Sequence, residues 1–396
     1  MTDDFNKNTV SLEENEEQAN AEVQQIESKA EELQPQNPYA QNSVSEPAPI
    51  NNPYYANGSA YYRPSFMSEE QLREQYEIML KKREVRGIGN SIGIQLCLFF
   101  IISIGLSFVL GIIAGIIGRL TGINVLHDVN FTLALSVLIN IFAMVLPSFI
   151  TANKANAEMR ELVSFKKAPP FLSAAVVMLG MGVCIISNIA TNIFGSVYYS
   201  VFNEETVSNN IEYGDGTFSF IISVFCIGIM PALIEEFAFR GVILGSLRKH
   251  VGDGSAVLIS AAMFSLLHGN LVQIPFSFGM GIILAFATIY TSSIIPAMVI
   301  HFINNTFAVV LTFMIKSMSP TTSLVVSALY YAVMLLVGVC GLILLLKTDG
   351  NAFKLSNERA EISRRNSGWI ITSPAIIVFV VMCVIQVLIT QATGNA

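Results

Sequence analysis

Polar and apolar positions divide this chain by region before they show any periodicity. Residues 1 to about 66 are rich in Glu, Gln, Asn, Pro and Tyr, with Asn-Pro-Tyr at Asn37-Pro38-Tyr39 and again at Asn52-Pro53-Tyr54. Such a segment cannot bury enough apolar area to offset its ordering entropy, so 1–66 reads as a disordered acidic tail. At Ser68 the pattern changes to SEEQLREQYEIMLKKREVR. A capping box from Ser68 to Gln71, then Leu72, Tyr76, Ile78 and Met79 among charges, predicts an amphipathic juxtamembrane helix over 67–88. Its basic end, Lys81, Lys82, Arg83 and Arg86, is placed to face anionic lipid.

Apolar runs then recur near 91–117, 131–152, 171–195, 218–247, 254–273, 275–292, 294–315, 323–346 and 369–390. Each approaches the roughly 20 residues a transmembrane helix needs. The expected fold is therefore all-α: a polytopic helical membrane protein with about nine transmembrane helices in 89–396. Composition agrees, with 53% hydrophobic residues, 13% charged and a mean hydropathy of +0.57. The net charge of −7 is not a property of the whole chain. Residues 1–67 hold eleven acids and three bases, and the remainder has 18 acids to 19 bases.

The bases of the membrane region alternate between loops. Four precede the first span; Lys154, Arg160, Lys166 and Lys167 follow the second; Arg248 and Lys249 follow the fourth; Lys347, Lys354, Arg359, Arg364 and Arg365 follow the eighth. The intervening loops carry only Arg119 and Lys316. With nine spans and a cytoplasmic N-terminus every basic cluster falls on the cytoplasmic side, and the C-terminus lies outside. The expected location is the plasma membrane, as a multi-pass integral protein. The N-terminus has no basic n-region or apolar core, so no cleaved signal peptide is expected. Cys97, Cys184, Cys226, Cys340 and Cys383 all fall in apolar runs without CxxC spacing, which fits buried small hydrophobes rather than disulfides or a zinc knuckle. No P-loop, dinucleotide fingerprint or nucleic-acid patch is present, so no nucleic-acid partner is expected.

Chemistry concentrates in the fourth to seventh runs. The stretch ALIEEFAFRG, 232–241, puts Glu235, Glu236 and Arg240 inside an apolar helix, where insertion scales charge about 2.5–3.5 kcal/mol for each ionised group. Glu236 and Arg240 stand at i and i+4 with the acid first, the favourable order for a pair. Glu235 is turned about 100° away and is left free for general-base work. The fifth run carries His268, one turn beyond Phe264. The seventh carries His301 and Asn305 on one face, with Asn304 beside them. Imidazole and carboxamide together can donate to a developing oxyanion, or the imidazole can ligate a metal.

The set Glu235-Glu236-x-x-x-Arg240, Phe264-x-x-x-His268 and His301-x-x-x-Asn305 resembles the three motifs of the CPBP family: type II CAAX prenyl endopeptidases and bacteriocin-processing, or Abi, membrane proteases. The resemblance covers about 218–315. It implies intramembrane proteolysis, with Glu235 activating water, His268 assisting, and His301 and Asn305 stabilising the oxyanion. Glu236 and Arg240 would support Glu235. The expected partners are a protein or peptide substrate at the membrane, membrane-associated or leader-bearing, and the lipid bilayer. Both a glutamic and a metallo-type mechanism fit: either no cofactor, or a single zinc ion with His268, His301 and Glu235 as candidate ligands. Two other readings use the same residues. One is a proton-coupled transporter relaying through Glu235 and the histidines. The other is a non-proteolytic membrane scaffold.

Overall fold

The computed structural model describes residues 68–123, 125–202, 213–350, 352–353 and 360–394; the acidic tail lies outside the described residues. Among the described residues all regular structure is helical, and the one isolated bridge joins Phe165 to Ser293. In chain order the helices are α1 (Glu69–Thr121), α2 (Val129–Lys154), the short α3 (Met159–Leu162), α4 (Pro170–Phe202) and α5 (Gly216–Arg248). Then follow α6 (Asp253–Leu267), α7 (Gln273–Thr291), α8 (Ile295–Ile315), α9 (Pro320–Thr348), α10 (Ala360–Ile371) and α11 (Pro374–Gly394). The chain is a polytopic helical membrane protein. Among the described residues eight helices, α1, α2, α4, α5, α7, α8, α9 and α11, are long and apolar enough to cross a bilayer.

Two boundaries differ from the sequence expectation. The Ser68–Gln71 capping box forms, but α1 then runs 53 residues without a break through both the expected surface helix and the first span. The glycines at its middle act as contact points. A Cβ on Gly93 would stand 2.4 Å from the Ala375 carbonyl carbon, so only glycine lets α11 approach this closely. The fifth expected span, 254–273, ends early: α6 has 15 residues, about 22 Å, against a hydrocarbon core of about 30 Å. Gly269, at φ +59°, takes the left-handed turn that stops the helix. Asn270 Oδ1 then accepts from the Val272 and Gln273 N–H groups at 2.8 and 3.3 Å and starts α7. His268 consequently sits at the inner tip of a helical hairpin, α6–α7, that enters and returns to the same end of the bundle.

That end gathers the basic loops. Lys249 lies 3.6 Å from Glu161, Arg248 bonds Asp253 at 2.8 Å, and Arg86 donates to the Thr372 carbonyl at 3.1 Å. Asn366 donates to the His250 carbonyl at 2.7 Å. The opposite end joins Lys316 to Asp215 and packs Tyr213 against Phe313. The base-rich and base-poor loops are thus on opposite faces, as their alternation requires.

Two apolar clusters are the largest among the described residues. One combines Val85, Ile88, Ile92 and Leu96 of α1 with Phe239, Leu244, Phe264 and Phe379 of α5, α6 and α11. The other packs Ala175, Val176 and Leu179 of α4 against Leu284, Ile300 and Leu345 of α7, α8 and α9. Helices α5 and α6 contribute to the first cluster and α7 and α8 to the second; α5 carries Glu235, Glu236 and Arg240, α8 carries His301 and Asn305, and His268 follows α6. Outward faces remain apolar, as at Phe108, Leu324 and Leu388, where lipid rather than water is the neighbour.

Candidate active site

Helix α5 is irregular where its chemistry lies. It widens into π-helix at Val224–Ile229 and again at Phe237–Ile243, on either side of Met230–Glu236. Such insertions re-aim side chains and frequently mark functional positions. Pro231 contributes a local cause. It has no N–H to offer the carbonyl four residues back, that of Ile227. Asn305 of α8 makes good the loss, donating from Nδ2 to Ile227 O at 3.1 Å. Asn304 Nδ2 donates in turn to Asn305 Oδ1 at 3.1 Å and fixes which way that amide faces.

Glu236 and Arg240 pair as their spacing predicts, with Nε 3.2 Å from Oε2 and both side chains wholly buried. The guanidinium also lies over the Phe264 ring, 4.3 Å from its centre, and donates to the Gly281 carbonyl at 3.4 Å. Three helices therefore hold one buried cation. Glu235, on the adjoining face, is 23% exposed and lines a small cleft with Val137, Asn140, Met144, Cys226 and Met230. Only one carboxylate of the pair is thus open to a reactant.

His301 connects the two. Its Nδ1 is 2.8 Å from Glu236 Oε1, and its Nε2 is 3.9 Å from Glu235 Oε2. An ionised carboxylate only accepts, so Nδ1 carries the hydrogen and Nε2 faces Glu235. The gap of 3.9 Å is too long for a direct hydrogen bond and suits a bridging water. The i, i+4 spacing puts His301 and Asn305 on one face of α8, and the fold adds the contact of His301 with Glu236. Asn305 serves the α5 backbone with one of its two amide hydrogens.

His268 is bonded through Nδ1 to the Phe264 carbonyl at 2.8 Å, which leaves Nε2 as its free nitrogen. The Phe264 ring touches both imidazoles edge-on, at 5.0 Å from His268 and 6.3 Å from His301. The last span braces this tip. Thr390 donates to the Gly269 carbonyl at 3.4 Å, and a Cβ on Gly269 would meet Gln386 at 2.6 Å. Nothing in the α11 sequence marks that role.

As to zinc, no three His, Cys, Asp or Glu side chains among the described residues come together with ligand spacing. Glu235 Oε2 and His301 Nε2 lie 3.9 Å apart, but His268 does not complete a set of three with them. The candidate donors do not fit a zinc site in this arrangement.

Residues 217–307 match the family model of Rce1-like type II CAAX prenyl endopeptidases. The chain is 27% identical over 165 residues to the membrane-embedded CAAX protease MroQ of Staphylococcus aureus (strain USA300), 40% of this chain and 62% of that one. It is 28% identical over 127 residues to YdiL of Bacillus subtilis (strain 168), named as a membrane peptidase, covering 32% and 52% of the two chains. The matched region thus spans less than two thirds of either relative. No solved structure matches. Glu235, Glu236, Arg240, His268, His301 and Asn305 all lie inside the segment, residues 217–307, that is similar to the Rce1-like type II CAAX prenyl endopeptidase model.

Proposed function

We propose that this chain is an intramembrane endopeptidase in which Glu235 is the general base. The observation that carries the reading is the division of labour between adjacent carboxylates. Glu236 is wholly buried and held by Arg240 and His301, whereas Glu235 is 23% exposed and opens to the cleft. A water held between Glu235 Oε2 and His301 Nε2 gives its proton to Glu235 as its oxygen attacks the scissile carbonyl carbon. The carbonyl π-bond opens to an oxyanion. On collapse the C–N bond breaks, and Glu235 returns the proton to the leaving amine. General-base catalysis of this kind contributes about 10²–10⁴ in rate.

The remaining residues position and stabilise. As the imidazolium, His301 keeps its Nδ1 hydrogen on Glu236 and presents an Nε2 hydrogen, which donates first to the water and then to the oxyanion. Asn305 has a second amide hydrogen for the same purpose. His268 orients water through Nε2. No step is routed through a metal. The substrate is a membrane-associated or leader-bearing protein, and the basic end of the bundle faces the cytoplasm of a plasma membrane.

The test is a comparison of protein termini in cells carrying the wild type and Glu235→Gln. New termini present only with the wild type, together with an unchanged unfolding midpoint of the variant in detergent, are expected. Identical termini in the two strains would sink the proposal.

A further inference from the structure

Away from this site, the first turns of α4 and α8 enclose a groove at the basic end of the bundle. Its walls are Pro169, Pro170, Ala174 and Val177 on one side and Pro296 and Val299 on the other, and its volume is about 740 Å³. That is within the roughly 300–1,000 Å³ of small-molecule sites. The cause is local. Ser173 and Ala174 present small side chains where α4 faces α8, and the paired prolines Pro169 and Pro170 fix the chain where α4 begins.

Lys166 and Lys167 stand at the groove's mouth. Both are exposed, and among the described residues neither has an ion-pair partner. The nearby acid Glu161 is taken by Lys249. The segment bearing these lysines is itself fastened: Ile294 N–H donates to Ser164 O at 2.9 Å and Ser164 Oγ to Ser292 O at 2.8 Å. The N-termini of α4 and α8, at Pro170 and Ile295, both open here and add positive potential. An apolar slot at a membrane helix end, with fixed positive charge at its rim, matches a single-chain-deep apolar body with an anionic head.

We propose that this groove binds one anionic phospholipid, its phosphate between Lys166 and Lys167 and an acyl chain along Ala174, Val177, Pro296 and Val299. The bound lipid lies against the first turns of α8, the helix that carries His301. The proposal does not depend on the proteolytic reading, because it is tested by binding alone.

The purified full chain in detergent is titrated with phosphatidylglycerol, phosphatidylcholine and glycerol phosphate, and bound lipid is counted by native mass spectrometry. One phosphatidylglycerol per chain is expected, in preference to phosphatidylcholine. At about a fivefold effect per juxtamembrane base, K166Q/K167Q should weaken it about 30-fold, and K166R/K167R should restore it. Ala174→Phe, which fills the slot, should abolish lipid binding while the unfolding midpoint stays at the wild-type value. Equal binding of phosphatidylcholine, or wild-type affinity in K166Q/K167Q, would overturn the headgroup assignment. Glycerol phosphate binding as tightly as the lipid, or unchanged lipid binding in Ala174→Phe, would overturn the acyl-chain assignment.

Discussion

Replacing Arg240 with Met tests whether the buried pair on α5 is what holds the site together. The Nε–Oε2 separation is 3.2 Å, and neither side chain is exposed. At an effective dielectric of about 20, that distance corresponds to about 5 kcal/mol of attraction. Desolvation offsets much of this in the intact protein, and removing the cation alone leaves the Glu236 share of that penalty in place. An unpaired carboxylate left behind costs about 3–5 kcal/mol. The His301 hydrogen bond to Glu236 survives, at 2.8 Å, which favours the lower part of that range. Loss of the stacking on Phe264 adds to the cost. Against a typical total stability of about 5–15 kcal/mol, Arg240→Met should be severely destabilised and inactive. The double variant Glu236→Gln/Arg240→Met leaves no orphan charge and should recover much of the stability, with no recovery of activity. Denaturant unfolding in detergent for all four members of the cycle, alongside cleavage of an identified substrate, gives the coupling. If Arg240→Met unfolds with the wild type, or if the two single losses simply add in the double variant, the pair is not the structural element described here.

Two further outcomes separate the roles of α8 and of metal. Asn305→Ala should strand the Ile227 carbonyl and cost about 1–3 kcal/mol in stability, and adding Pro231→Ala, which supplies the missing N–H, should restore stability without restoring the cleavage rate. A rate rescued together with stability would show that Asn305 acts only through the backbone. Because the candidate zinc ligands do not converge, cleavage by the purified protein should persist after chelation; stoichiometric zinc, with activity lost on its removal and regained on its return, would refute this.

Much of this protein was legible in one dimension because the bilayer makes hydropathy nearly sufficient. With no water to satisfy an unfolded backbone, apolar runs must be helices, and the alternation of base-rich loops sorts their ends. The Glu236–Arg240 pair was legible for a similar reason: i and i+4 on one helix leave little choice of partner. The Gly269-Asn270 stop that shortens α6 was also present as a local signal, hidden within a continuous apolar run. What the sequence could not specify is which helix faces which. Spacing along α8 places His301 and Asn305 on one face, but only packing brings His301 against Glu236 on α5. Pro231 frees a carbonyl in any helix, but only the approach of α8 determines that Asn305 answers it. The brace of α11 on the His268 turn and the slot between α4 and α8 likewise join segments more than 100 residues apart. Such contacts depend on side-chain volumes fitted across several helices at once, and hydropathy carries no information about that fit.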